Sequence, residues 1–175
     1  MNKFFTFAII IVLGFFLGLF GREVIQNSSD ERVERVIHLF EKLCLEPYLT
    51  GTNAVPRDYD LVFFPNIAPK PKWGDQQSLI FLEKSDPRSC KISTPPEIAF
   101  SLRQSKRLET RLTELVELHF PKLPRDKGIE GTALIAKGWL KGEIRSSERW
   151  GIYIWGNVTE DKKVHTFISF TKPNK

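Results

Sequence analysis

Catalytic signatures are missing from this sequence. It has no G-x-S-x-G turn, no glycine-rich phosphate loop ending in Lys-Ser or Lys-Thr, and no H-E-x-x-H. Those absences remove the serine-hydrolase, nucleotide-enzyme and zinc-protease patterns that such spacings carry. Histidine is scarce, with only His38, His119 and His165, and neither the histidines nor the two cysteines show H-x-x-x-H or C-x-x-C spacing. Ligands so dispersed predict no metal centre and no cofactor. One-sided charge is lacking too. Removing residues 1–26 takes Lys3, Arg22 and Glu23 from totals of 26 basic and 21 acidic residues, leaving 24 and 20, a formal +4. That excess is small and evenly mixed with acids, and no nucleic-acid motif accompanies it, so nucleic acid is not an expected partner.

One long apolar run is present. Phe4 to Phe20 holds seventeen residues without a charge, and at about 1.5 Å per residue a helix of that length nearly covers a hydrocarbon core of about 30 Å. A secretory signal has a shorter apolar region followed by a small-x-small cleavage site. The best match here, Leu19-Phe20-Gly21, puts a bulky leucine where a small residue belongs. The run therefore reads as an uncleaved transmembrane anchor, with a cleaved signal as the alternative. Lipid bilayer is the expected partner of residues 4–20, and Gly14 and Gly18 have the small-xxx-small spacing that lets membrane helices approach. The basic residues flanking the run do not decide its orientation by count; the amino end is expected inside and the remainder outside the cytoplasm.

The chain thus divides into residues 1–26, an anchor or signal segment, and residues 27–175, one extracytoplasmic α+β domain of ordinary size. Its two cysteines, Cys44 and Cys90, are expected to form one disulfide, as a lone pair in an exported domain does. Free buried thiols are the plain alternative.

Hydrophobic periodicity gives the order α-βββ-α-βββ, with six mainly antiparallel strands. Ser28 and Glu31 can form a capping box, and Val33, Val36, Ile37, Phe40, Leu43 and Cys44 recur at three and four, predicting an amphipathic helix over 29–46 that ends at Pro47. Short β-rich runs follow at 59–64, 78–84 and 89–94, with 65–77 read as a proline-rich loop. Thr94 and Pro96 mark the start of a second helix, striped by Ile98, Leu102, Leu108, Leu112, Leu115 and Val116 and stopped by Pro121. The last fifty residues alternate as a three-stranded meander. Its middle strand places Trp150, Ile152 and Ile154 on one face and Gly151, Tyr153 and Trp155 on the other. Aromatics on both faces imply that one covers the core and the other meets a second layer, a ligand or a partner.

The candidate binding residues follow from these patterns. Lys70, Lys72 and Trp73 sit in a proline-stiffened basic loop, Tyr153 and Trp155 could form an aromatic face, and Arg103, Arg107 and Arg111 lie four apart on the second helix. Each has a plainer account. Trp73 could lid the core, the tryptophans could be core packing, and the arginines could pair with Glu109, Glu114 and Glu117 on a solvated face. A dispersed acid–base site using Asp58, Asp60, Asp75 or His165 is the enzymatic alternative. Asn27-Ser28-Ser29 and Asn157-Val158-Thr159 match the glycosylation sequon. The overall expectation is a membrane-anchored, non-enzymatic periplasmic domain that binds or supports an envelope or membrane protein.

Overall fold

The computed structural model describes residues 30–66, 70–86, 88–144 and 146–174, except the side chains of 85 and 86. The proposed membrane anchor at 4–20, with Gly14 and Gly18, the Ser28 cap and the Asn27 sequon, lies outside the described residues. Among the described residues no helix is long and apolar enough to cross a membrane. Val33–Lys175 form one compact unit; of Met1–Arg32, only residues 30–32 are described, and they are helical.

Helix α1 runs over residues 30–50. The anticipated apolar stripe is buried, and Leu39 and Leu45 join it. The extra pair is accommodated by a π-helical segment at Glu41–Leu45, whose wider turn brings the successive residues Leu43, Cys44 and Leu45 inward. Pro47 does not end the helix as expected. It falls in the first turn of the segment Glu46–Thr50, where a missing N–H costs little, and the chain turns at Gly51 with φ +73°. The second helix also differs. Pro96–Ile98 form a separate 3-10 turn, and helix α2 spans Leu102–His119. Ser101, not Thr94, caps it: the Gln104 amide donates to Ser101 Oγ at 3.2 Å, and the Ser101 amide donates to Gln104 Oε1 at 2.9 Å.

Among the described residues seven strands, one more than expected, form a single antiparallel sheet: β1 Val62–Phe64, β2 Lys72–Asp75, β3 Ile80–Asp86, β4 Ser89–Ser93, β5 Ile135–Lys141, β6 Trp150–Val158 and β7 Val164–Thr171. Their spatial order is β1-β2-β3-β4-β7-β6-β5. Strand β2 lies within the stretch read as a loop. The order is thus α-ββββ-α-βββ, and two meanders meet at β4 and β7, where Cys90 faces Phe170 and Ile92 faces Ile168. The β5 edge is covered by the chain itself, since Leu140 donates to the Pro124 carbonyl and Asp126 to that of Gly138. Strand β1 forms the opposite edge, short and followed by Pro65.

Both helices lie on one face of the sheet. Directly opposed residues share a face, so the register carries one side across from Asp75 through Ile80, Leu82, Ile92, Ile168 and Ile154 to Lys137. Helix α1 reaches that side through Arg35 to Asp75 and through the Cys44–Cys90 disulfide, whose Cα atoms are 5.5 Å apart. Helix α2 reaches it through Ser105, 3.0 Å from Thr166 Oγ1, and through Thr113 Oγ1, which accepts from Lys137 at 2.9 Å. Phe40, Leu43, Leu108, Leu112, Ile152 and Phe170 are among the fully buried core side chains.

Candidate functional site

The second sheet face has no described helix or strand packed on it. Register places one row of residues straight across it: Gly74, Phe81, Ser93, Phe167, Trp155 and Ala136 are successive partners from β2 to β5. In the adjoining row, Glu83, Lys91, Ser169, Tyr153 and Gly138 pair in turn from β3 to β5. An apolar rank and a polar rank therefore run side by side, perpendicular to the strands. This follows from strand alternation, because the odd residues of β6 and β7 turn away from the helices.

The aromatic rings gather in two clusters. On β6 and β7, Trp155 and Phe167 lie 5.4 Å apart, and Tyr153 meets Phe167 edge-on at 5.7 Å. On β1 and β3, Phe64 and Phe81 pack edge-on at 6.1 Å. Gly74 makes the second cluster possible, because a Cβ there would stand 2.6 Å from Phe64 Cε2. The flat faces of two rings are already occupied by cations: Lys91 Nζ sits 4.3 Å over Phe167, and Lys72 Nζ 5.6 Å over Phe81. Quadrupole attraction holds each ammonium there. Beside the Trp155 cluster is a shallow depression of about 330 Å³, rimmed by Gly128, Ile129 and Thr132 from the loop before β5 and floored by Tyr153, Trp155 and Phe167.

Three lysines of this face, Lys70, Lys72 and Lys91, lie around Glu83, and Lys70 approaches it at 3.6 Å. His165 adjoins the same region. Burial lowers its pKa from 6.5, and Lys91 and then Lys72 act in the same direction, against the Thr94 backbone hydrogen bond and Glu97. The imidazole is therefore mostly neutral at pH 7.

The structure sorts the candidates named from sequence. Tyr153, Trp155, Lys70 and Lys72 share the open face, while Trp73 does not. Trp73 lies on the helix side, 4.9 Å from Phe63 and under Arg57, partly buried against the core. Trp139 is buried and Trp150 packs near Tyr48 and Phe120. Arg107 and Arg111 clasp α1, with Arg107 Nη2 and Arg111 Nε each 3.1 Å from Glu34 Oε1, and Arg103 is exposed. Phe81, Lys91 and Phe167 were not singled out from sequence, although the period-two alternation of β7 puts Phe167 on the same side as His165.

The acids do not converge on a cleft. Asp75 is buried on the helix side, where Arg35 donates to Oδ1 at 3.0 Å and the Ser78 amide to Oδ2 at 2.7 Å. His165 belongs to the other face. Asp58 and Asp60 are exposed at the turn Pro56–Tyr59 and its end. His119 Nε2 is 2.9 Å from Glu41 Oε1, tying the end of α2 to α1. Among the described residues no three His, Cys, Asp or Glu side chains group as a metal site.

No protein-family model, curated protein or solved structure matches this chain.

Proposed function

We propose that this chain is a membrane-anchored, non-enzymatic binding or accessory domain on the extracytoplasmic side of a bacterial envelope, and that it binds through the open sheet face. The observation that carries this reading is the uncovered row of aromatics, Phe81, Phe167 and Trp155, with lysines lying on two of its rings. A sheet ordinarily buries each apolar face against another layer. A face this rich in half-exposed rings is suited to a contact. The apolar run at 4–20 supports the anchor, and the Cys44–Cys90 disulfide supports an oxidising compartment. The separation of Asp75 from His165 across the sheet favours binding over a dispersed acid–base site.

The test combines location and contact. Membrane-impermeant thiol labelling of cells is expected to modify Cys44 and Cys90 only after reduction; labelling from the cytosolic side without reductant would overturn the location. Trp155→Ala and Tyr153→Ala are expected to abolish photo-crosslinking from a probe at Ser93 to any envelope component while leaving thermal unfolding nearly unchanged. Crosslinks that persist in both variants would overturn the site.

A further inference from the structure

We infer that the end of the domain from which both helices set out lies against the bilayer, with Leu79, Leu102 and Val158 entering its interface; the inference rests on the membrane-anchored reading above and adds a second lipid contact to it. The first observation is directional. Glu34 pairs with Arg107 and Arg111, and Glu41 with His119, so α1 and α2 run parallel and start at the same end. Arg35 reaches Asp75, the last residue of β2. Phe100, just before α2, and Val164, the first residue of β7, exchange backbone hydrogen bonds at 3.1 and 2.7 Å. That end therefore also holds the β2–β3 turn, the β6–β7 turn and the start of β5.

The second observation is what this end exposes. Val62, Leu79, Leu102, Leu134 and Val158 stand there on five separate segments, each between 41% and 56% exposed. From Leu79 beside β3 to Val158 on β6 is three strand spacings, about 14 Å, and Leu102 belongs to the helix layer. So dispersed a set offers a protein partner no groove, whereas a fluid lipid interface takes each side chain separately. Charges here are of both signs, Arg103, Lys162 and Lys163 against Glu97, Glu160 and Asp161, so the contact is apolar and does not select anionic lipid.

Leu79 supplies the third observation. Among the described residues only Asp60, Leu79 and Lys162 hold a positive φ without being glycine. Asp60 and Lys162 are polar turn residues, but Leu79, at φ +52°, puts a bulky side chain where glycine or asparagine is favoured. Its turn is pinned: Asp75 Oδ2 accepts from the Ser78 amide at 2.7 Å, and Arg35 holds Oδ1 at 3.0 Å. A half-exposed leucine kept in that conformation gains little from the fold, and contact with lipid supplies a reason for it. Exposure alone does not choose the end, since Leu118 and Ile144 are exposed at the other; covalent reach does. The compact unit begins at Val33, thirteen residues past Phe20, and a chain of that length spans at most about 45 Å. The end that carries Val33 is thereby held at high local lipid concentration, where a few aliphatic contacts suffice.

The test is methyl NMR of the full-length chain in nanodiscs of zwitterionic lipid, with and without a gadolinium-chelating lipid. Broadening of the Leu79, Leu102, Leu134 and Val158 methyls is expected, with Leu118 and Ile144 spared. Tethering alone brings this end near lipid, so the variants decide. Leu79→Asp should lower the time in contact about tenfold, the equivalent of leaving one leucine unburied, and so weaken the broadening at Leu102 and Val158. Leu79→Gly, which suits the positive φ, should weaken it too while leaving the fold at least as stable. Broadening that is equal at both ends, that neither variant moves, or that needs phosphatidylglycerol in the discs overturns the inference and leaves the anchor standing. A full-length chain that does not enter nanodiscs overturns the anchor and this contact together.

Discussion

The ammonium of Lys91 lies over the Phe167 ring, 4.3 Å from its centre. This one contact joins a cation to the aromatic row of the open sheet face, and Lys91 also acts on the neighbouring histidine. Burial is the larger reason that His165 resists protonation, and Lys91 is the next. Lys91→Ala is expected to raise the His165 pKa without restoring it fully to 6.5, as read by NMR titration of the imidazole. An unchanged value would show that Lys91 exerts no field there. A depressed folded-state pKa means that the unfolded chain binds the proton more readily. Stability should therefore fall as the pH drops below about 6.5, and less so in the Lys91 variant.

Glu34 carries the opposite kind of chemistry. Burial pushes its carboxyl up, but the hydrogen bonds and charges of Arg111 and Arg107 outweigh that and hold it below 4.5. The clasp between the helices thus stabilises the fold above its ordinary pKa and is lost as the pH falls through the lowered one. Urea unfolding at a series of pH values should show Glu34→Gln abolishing part of the acid-induced loss between pH 4.5 and lower values. An identical acid limb in both proteins would refute the clasp.

The disulfide closes a loop with a sequence separation of 46. In the chain-entropy account that contributes about 4 kcal/mol. The Cys44→Ala/Cys90→Ala double variant should lose about that much in denaturant unfolding, and reductant should shift the wild-type protein alone.

Asp75 is expected to matter for folding and not for binding. Its removal leaves Arg35 partly buried without its carboxylate, and Asp75→Ala should cost about 3 kcal/mol. Crosslinking from Ser93 by the folded fraction should be unaltered, and its selective loss would reassign Asp75 to the site.

Gly151 has φ +139°, and a Cβ there would stand 2.1 Å from the Trp139 carbonyl oxygen. Gly151→Ala forces β5 and β6 apart and should destabilise the protein by about 2 kcal/mol or more. A melting temperature equal to that of the parent would contradict the close approach.

Much of this architecture was readable along the chain because the patterns were local. The alternation through Trp150–Trp155 assigns both faces of β6 without any tertiary information. The i, i+3, i+4 stripe of α1 does the same for its buried side, and a lone cysteine pair leaves one pairing. Where the sequence misled, a nonlocal contact decided. Strand β2 looks like loop because Pro71 precedes it and Gly74 interrupts it; it becomes a strand only by pairing with β1 and β3. Helix α1 continues through Pro47 because the π-helical segment before it resets the turn. The pairing of Arg107 and Arg111 with Glu34 of the other helix is likewise a contact that no spacing within α2 reveals. Phe81, Lys91 and Phe167 come from three strands, so only the sheet order brings them together.

That order has a consequence for biosynthesis. Strand β7, which leaves the ribosome after the six others, is the one that must slot between β4 and β6. Until it arrives, the earlier meander ends in a raw margin at β4 and the later hairpin in another at β6, each offering unsatisfied backbone groups to any passing strand. The two halves are therefore zipped only once β7 emerges, and a chain stopped short of Val164 would carry two adhesive borders instead of a closed seam.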